Sequence, residues 1–123
     1  MDHGGVQAWL DAYVRRWRES DPSGVPELFT SDVRYLRSPY AEPLVGHAAL
    51  AEFWVADGDA SFSADAEVVA VDGRTAVARL QVDYERPQRQ QYRDLWVLRF
   101  ATDGRVEHFE EWAVPSSSRP PTP

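Results

Sequence analysis

Two Asp-Gly pairs, Asp72-Gly73 and Asp103-Gly104, divide the second half of the chain into runs that alternate apolar and polar residues. Such a pair between alternating runs is a strong hairpin signal, because tight reversals need a positive φ that glycine adopts without penalty. The runs 62–71, 74–85, 92–101 and 105–114 therefore read as strands. The stretch Arg86-Pro87-Gln88-Arg89 joins the middle two, since proline tolerates a turn and not a ladder. Four consecutive strands make an antiparallel meander, and a meander needs something to cover it.

The N-terminal half supplies the cover. Over 6–17, Val6, Trp9, Leu10, Tyr13, Val14 and Trp17 recur at the three-and-four spacing of one helix face. The helix ends before Ser20-Asp21-Pro22, and Asp21 then caps a short second helix through Val25, Leu28 and Phe29, with Pro22 at its first position. Residues 32–38 alternate, with Val33, Tyr35 and Arg37 on one face, and stop at Pro39, so they read as one strand; 39–45 read as loop. Gly46 opens a third helix with Leu50, Phe53 and Trp54 as its buried stripe. Residues 1–115 make one domain, and the Ser/Pro-rich stretch 116–123 reads as a disordered tail.

Composition removes whole classes of chemistry. With no cysteine there is no disulfide framework, thiolate nucleophile or Cys-based zinc site. All 13 basic residues are arginine, which removes Schiff-base and P-loop lysine chemistry. Acids outnumber bases 20 to 13 for a net charge of −7, the opposite of a nucleic-acid footprint. His3, His47 and His108 are too scattered for a metal site, and no phosphate-cradling glycine loop exists, so neither metal nor nucleotide cofactor is expected. No apolar run approaches the ~18 residues of a membrane span and the start lacks a signal-peptide pattern, so the expectation is a cytoplasmic protein without a membrane partner.

Hairpin geometry sorts the strand residues onto faces. With Asp103-Gly104 as a two-residue turn, Leu98 faces Phe109, Trp96 faces Glu111 and Asp94 faces Ala113. With Pro87-Gln88 as the next turn, Val77 faces Leu98, Arg79 faces Trp96 and Gln81 faces Asp94. One face then holds Arg79, Gln81, Tyr92, Asp94, Trp96, Phe109 and Glu111. The other holds Leu80, Val82, Tyr84, Leu95, Val97 and Trp112, with Arg93, Arg99, His108 and Glu110 among them. Neither is cleanly polar, so both should be covered, one by the helices and the other by a second subunit in a homodimer.

The order helix, short helix, strand, helix, four-strand meander resembles the nuclear transport factor 2-like, or SnoaL-like, fold. The matching stretches are 17–22 before 25–29, 32–35, Pro43-Leu44-Val45-Gly46 ahead of the 50–54 helix, and 95–100 followed by Asp103-Gly104-Arg105-Val106. The resemblance spans residues 6–114. It implies an α+β cone, a curved antiparallel sheet wrapped around three N-terminal helices in the manner of a cystatin-like α+β barrel, enclosing a small-molecule pocket. Fold alone does not fix activity, because the family hosts isomerases, cyclases, dehydratases, epoxide hydrolases and non-catalytic binding modules.

Matching to ketosteroid isomerase, a distant relative, puts Tyr13 on the catalytic tyrosine, Arg37 on the base and Trp96 on the oxyanion aspartate. Two of three functions are lost, so ketosteroid isomerisation is not implied. The same matching makes the Asp94 face the pocket face. Asp94, between Tyr92 and Trp96, is then the candidate acid/base, with Tyr13 or Arg37 as polarising donors; the alternative is an aspartate that only accepts hydrogen bonds, from Gln81 or a tyrosine, or pairs with an arginine. Arg37, Arg79 and Glu111 would hold an anionic or carbonyl-bearing ligand, form an Asp–Arg arrangement like that of the limonene epoxide hydrolase branch, or merely close the cone as a salt-bridge network. Tyr13, Trp17, Tyr35, Trp54, Trp96 and Phe109 converge either as core or as cavity lining. The resulting expectation is a cofactor-free isomerase, cyclase, dehydratase or hydrolase for an apolar organic molecule, against a non-catalytic ligand-binding or protein-interaction module of the same fold.

Overall fold

The computed structural model describes residues 1–56, 61–86 and 88–118. Helix α1 spans His3–Glu19, with Asp2 accepting from the Gly5 N–H at 2.8 Å as its cap and Val6, Trp9, Leu10 and Tyr13 buried. It ends at Ser20 in a left-handed conformation, and Asp21 caps the 3-10 turn Pro22–Gly24 through the Ser23 N–H. Helix α2 (Val25–Leu28) runs into strand β1 (Phe29–Leu36), followed by β2 (Leu44–Val45) and α3 (His47–Ala56). Strands β3 (Ser61–Asp72), β4 (Thr75–Arg86), β5 (Gln90–Phe100) and β6 (Val106–Pro115) are the expected meander.

The six strands lie in the order β2-β1-β6-β5-β4-β3, a sheet that stays open rather than closing into a barrel. Its inner face packs on α1, α2 and α3, and the core between them includes Leu10, Phe29, Leu50, Leu98, Phe100 and Phe109, all fully buried. Strand β1 joins the meander by pairing in parallel with β6, Tyr35 opposite Phe109.

Several expectations change. Strand β1 begins earlier, at Phe29, and ends at Leu36, so Arg37 lies beyond it and the alternation no longer carries its side chain inward. Leu44 and Val45, read as loop, pair with Tyr35 and Arg34 as a short edge strand. Ser116–Ser118, read as the start of a disordered tail, form a 3-10 turn, with Ser116 Oγ accepting from Gln90 Nε2 at 3.2 Å; the rest of that expectation lies outside the described residues.

The β5–β6 pairing matches the arithmetic, with Trp96 opposite Glu111 and Asp94 opposite Ala113, although the turn differs. Ala101 accepts from Gly104 N–H and donates to Arg105 O, which is a three-residue loop with Gly104 at φ 89°. A bulge between Val106 and His108 restores the register that a two-residue turn would have produced. No such compensation occurs at the β4–β5 turn. There Ala78 faces Trp96 and Leu80 faces Asp94, one residue out of step with the pairing a two-residue turn would give. One residue of slip inverts β4. Ala76, Ala78, Leu80 and Val82 point into the core, and Arg79 and Gln81 point out. The outer face therefore loses Leu80, Val82 and Tyr84 from its expected apolar set and keeps Leu95, Val97 and Trp112.

Candidate functional site

A cavity of about 330 Å³ opens between the inner face and helices α1 and α3. Its deep residues are Tyr13, Tyr35, Trp54, Val82, Asp94 and Trp96, each at most 3% exposed. Trp17, Phe53, Tyr84, Gln88, Gln90 and Ala113 line its more exposed part. The lining rings Trp17, Tyr84 and Tyr92 are joined through Phe62, which is not itself in the lining: Trp17 lies on Phe62 at 4.1 Å, Phe62 on Tyr84 at 5.5 Å and Tyr84 on Tyr92 at 5.8 Å.

The polar groups sit among these rings. Asp94 and Trp96 alternate inward on β5, and Glu111, opposite Trp96 on β6, is the diagonal neighbour of Asp94 on the same face. Trp96 Nε1 donates to Glu111 Oε2 at 3.2 Å. Asp94 is 3% exposed, and its Oδ1 is buried without a hydrogen-bond partner among the described residues. Burial, together with a hydrogen bond to Asp94 and the charge of its carboxylate, pushes the Glu111 carboxyl up to about 9 against the partial opposition of the Trp96 N–H. The Glu111 carboxyl therefore keeps its proton at neutral pH, next to Asp94 on the same face.

Tyr13 and Tyr35 form the second polar pair, with hydroxyl oxygens 2.7 Å apart. Burial raises both phenols well above their ordinary range, with Glu111 adding to the shift of Tyr13, and Tyr13 and then Glu111 to that of Tyr35. Both stay neutral donors. One hydroxyl hydrogen is used between them, which leaves the other free for a third partner.

Of the residues singled out in the sequence, Tyr13, Trp17, Tyr35, Trp54, Tyr92, Asp94, Trp96 and Glu111 line the cavity. Phe109 does not; it is fully buried behind the lining, stacked on Tyr35 at 4.2 Å. Arg37 is exposed, its guanidinium carbon 5.4 Å from the centre of the Phe53 ring. Arg79 pairs on the outer face with Glu67 at 3.1 Å, and Gln81 there donates to Asp83 at 3.4 Å, so neither meets Glu111 or Asp94. No arginine lines the cavity among the described residues, and an Asp–Arg arrangement has no counterpart there.

Tyr84 and Val82 were missed because the assumed turn inverted β4, although the alternation of β4 itself marks its even positions as apolar. Gln88 comes from the turn, where periodicity carries no signal, and Gln90 opens β5 two residues ahead of the run that reads as a strand. Among the described residues no group of three or more His, Cys, Asp or Glu side chains is placed to hold a metal ion. No helix among them is long and apolar enough to cross a membrane.

The model of the SnoaL-like domain matches residues 10–109. No curated protein matches the chain. Among solved structures, an LEH-like epoxide hydrolase from M. tuberculosis is similar over 91% of this chain and 84% of that one, with a TM-score of 0.74 and 16% sequence identity. A likeness at that identity establishes the fold.

Proposed function

Since the chain belongs to the SnoaL-like domain family, we propose that its cavity binds a small, largely apolar organic molecule and that Asp94 and Glu111 perform acid–base chemistry on it. The observation that carries this reading is the pairing of Asp94 and Glu111, the latter pushed up to about 9 by burial, a hydrogen bond to Asp94 and the charge of Asp94, inside an aromatic cavity of about 330 Å³. Protonated Glu111 gives its proton to a basic or leaving atom of the substrate, and the Asp94 carboxylate takes one from another atom or from a water molecule. Exchange across the pair then restores the starting state, so no proton is gained or lost over a turnover. Tyr13 or Tyr35 supplies the polarising hydrogen bond expected of Tyr13 or Arg37, since only the tyrosines line the cavity.

Isomerisation, cyclisation, dehydration and hydrolysis all share this paired gain and loss of a proton. Opening an epoxide, the activity in the name of the M. tuberculosis neighbour, belongs to the same set. Thermal-shift screening against apolar ketones, lactones, epoxides and alcohols tests binding, since a ligand at 100 times its Kd adds about 2.7 kcal/mol. On a substrate found that way, Asp94→Asn and Glu111→Gln are each expected to lower kcat by roughly a hundredfold or more, with binding largely intact in Glu111→Gln. Full turnover by both variants removes the acid–base role. Binding without turnover by the unaltered protein identifies a non-catalytic module instead.

A further inference from the structure

The cavity is one-sided in its charge. Aromatic side chains from α1, α3, β1, β4 and β5 form most of its lining, and no arginine or histidine reaches it among the described residues. Its acids are Asp94 and Glu111, the first almost completely buried and with Oδ1 unpartnered. An anionic ligand would meet a carboxylate and the negative faces of the rings with no cation to offset them. A neutral hydrocarbon gains burial alone. A cation gains the same burial, the attraction of the ring faces and a desolvated counter-charge.

We propose that the ligand of this cavity is an organic cation, a substituted ammonium group held among the aromatic walls with Asp94 as its counter-ion. This rests on the reading of the cavity as a ligand site and does not depend on the carboxyl pair being catalytic. It narrows the ligand class from apolar molecules in general to those that carry one positive charge.

Two probes of equal shape isolate the charge: phenyltrimethylammonium, and tert-butylbenzene, in which carbon replaces the nitrogen. Titrated calorimetrically into the full chain at neutral pH, phenyltrimethylammonium is expected to bind at least tenfold tighter than tert-butylbenzene, and benzenesulfonate not at all. Asp94→Asn should shrink the preference for the cation to a few-fold or less. Tyr92→Leu, which keeps an apolar wall but removes a ring, should weaken the cation several-fold and the hydrocarbon less, and it keeps the test open should Asp94→Asn fail to fold.

Equal or tighter binding of tert-butylbenzene overturns the inference while leaving an apolar ligand site standing. Binding of benzenesulfonate, an undiminished preference in a folded Asp94→Asn variant, or equal losses for both probes in Tyr92→Leu also overturn it. Failure of all three probes to bind overturns both this inference and the ligand-site reading.

Discussion

Glu111 carries a proton in the folded protein up to about pH 9, against an ordinary value of 4.5 for the same group in the unfolded chain. Between those values the native state binds the extra proton, so this group's contribution to stability falls as pH rises. The contribution is whole below the lower value and is lost as pH passes through the upper one, at most about 1.4 kcal/mol per pH unit. Asp21, held low by Ser23 and Arg16, and Asp103, held low by Arg105, act in the opposite sense and only at acid pH, so they do not mask it. Urea unfolding between about pH 5 and 9 should show declining stability, and Glu111→Gln should flatten the decline; a variant that tracks the unaltered protein across that range disproves the raised carboxyl. At this scale Asp94, Trp96 and Glu111 were legible because alternation along β5, and along β6 beyond its bulge, sends them to one side. The pairing of the two carboxyls was not, since it depends on burial by α1 and α3, which no strand pattern records. Arg37 was misread for a simpler reason: its parity is right, but the strand stops one residue before it.

Among the elements, β4 shows how a turn rule can override better information. Its apolar residues Ala76, Ala78, Leu80 and Val82 alternate without a break against Val77, Arg79, Gln81 and Asp83, which is a complete statement of which side faces the core. Assuming a two-residue turn at Pro87-Gln88 sent that set outward and put Arg79 and Gln81 in the site. The neighbouring hairpin escaped because its longer loop and its bulge cancel. The parallel β1–β6 pair and the two-residue β2 were invisible for a different reason, since neither uses a local turn signal. The junction of α1 with α2 offers its own test. Arg16 binds Asp21 at 2.7 Å and Glu27 at 3.0 Å, and its side chain crosses the buried Gly24. A Cβ at position 24 would stand 2.7 Å from Arg16 Cγ, near the base of that side chain where it has little room to yield. Gly24→Ala is therefore expected to cost about 1–3 kcal/mol in urea unfolding, and a change under a few tenths would show that the junction relaxes freely.

For the molecule as a whole, the outer sheet face is the remaining question of association. Leu95 and Trp112 are 46% and 50% exposed side by side, Val114 is 55% exposed, and Arg93, Arg99 and Glu110 surround them. This patch is smaller than the sequence implied, yet it is still the arrangement of an apolar centre with a charged margin that a two-fold contact buries. Light scattering at micromolar concentration is expected to return the mass of two chains, falling to one for Trp112→Glu; a single-chain mass for the unaltered protein removes the dimer. The parallel seam between β1 and β6 has a different consequence, one of timing. Tyr35 lines the cavity and stacks on Phe109, so these two strands, from opposite halves of the chain, must dock before the wall they share exists. Helices and hairpins can form from local contacts as the polypeptide leaves the ribosome, but β1 must wait for β6, and contacts so distant in sequence are slow to close. The chamber is thus completed only once β6 has been made, and a chain cut before Phe109 would keep much of its secondary structure while lacking the wall against which a ligand would rest.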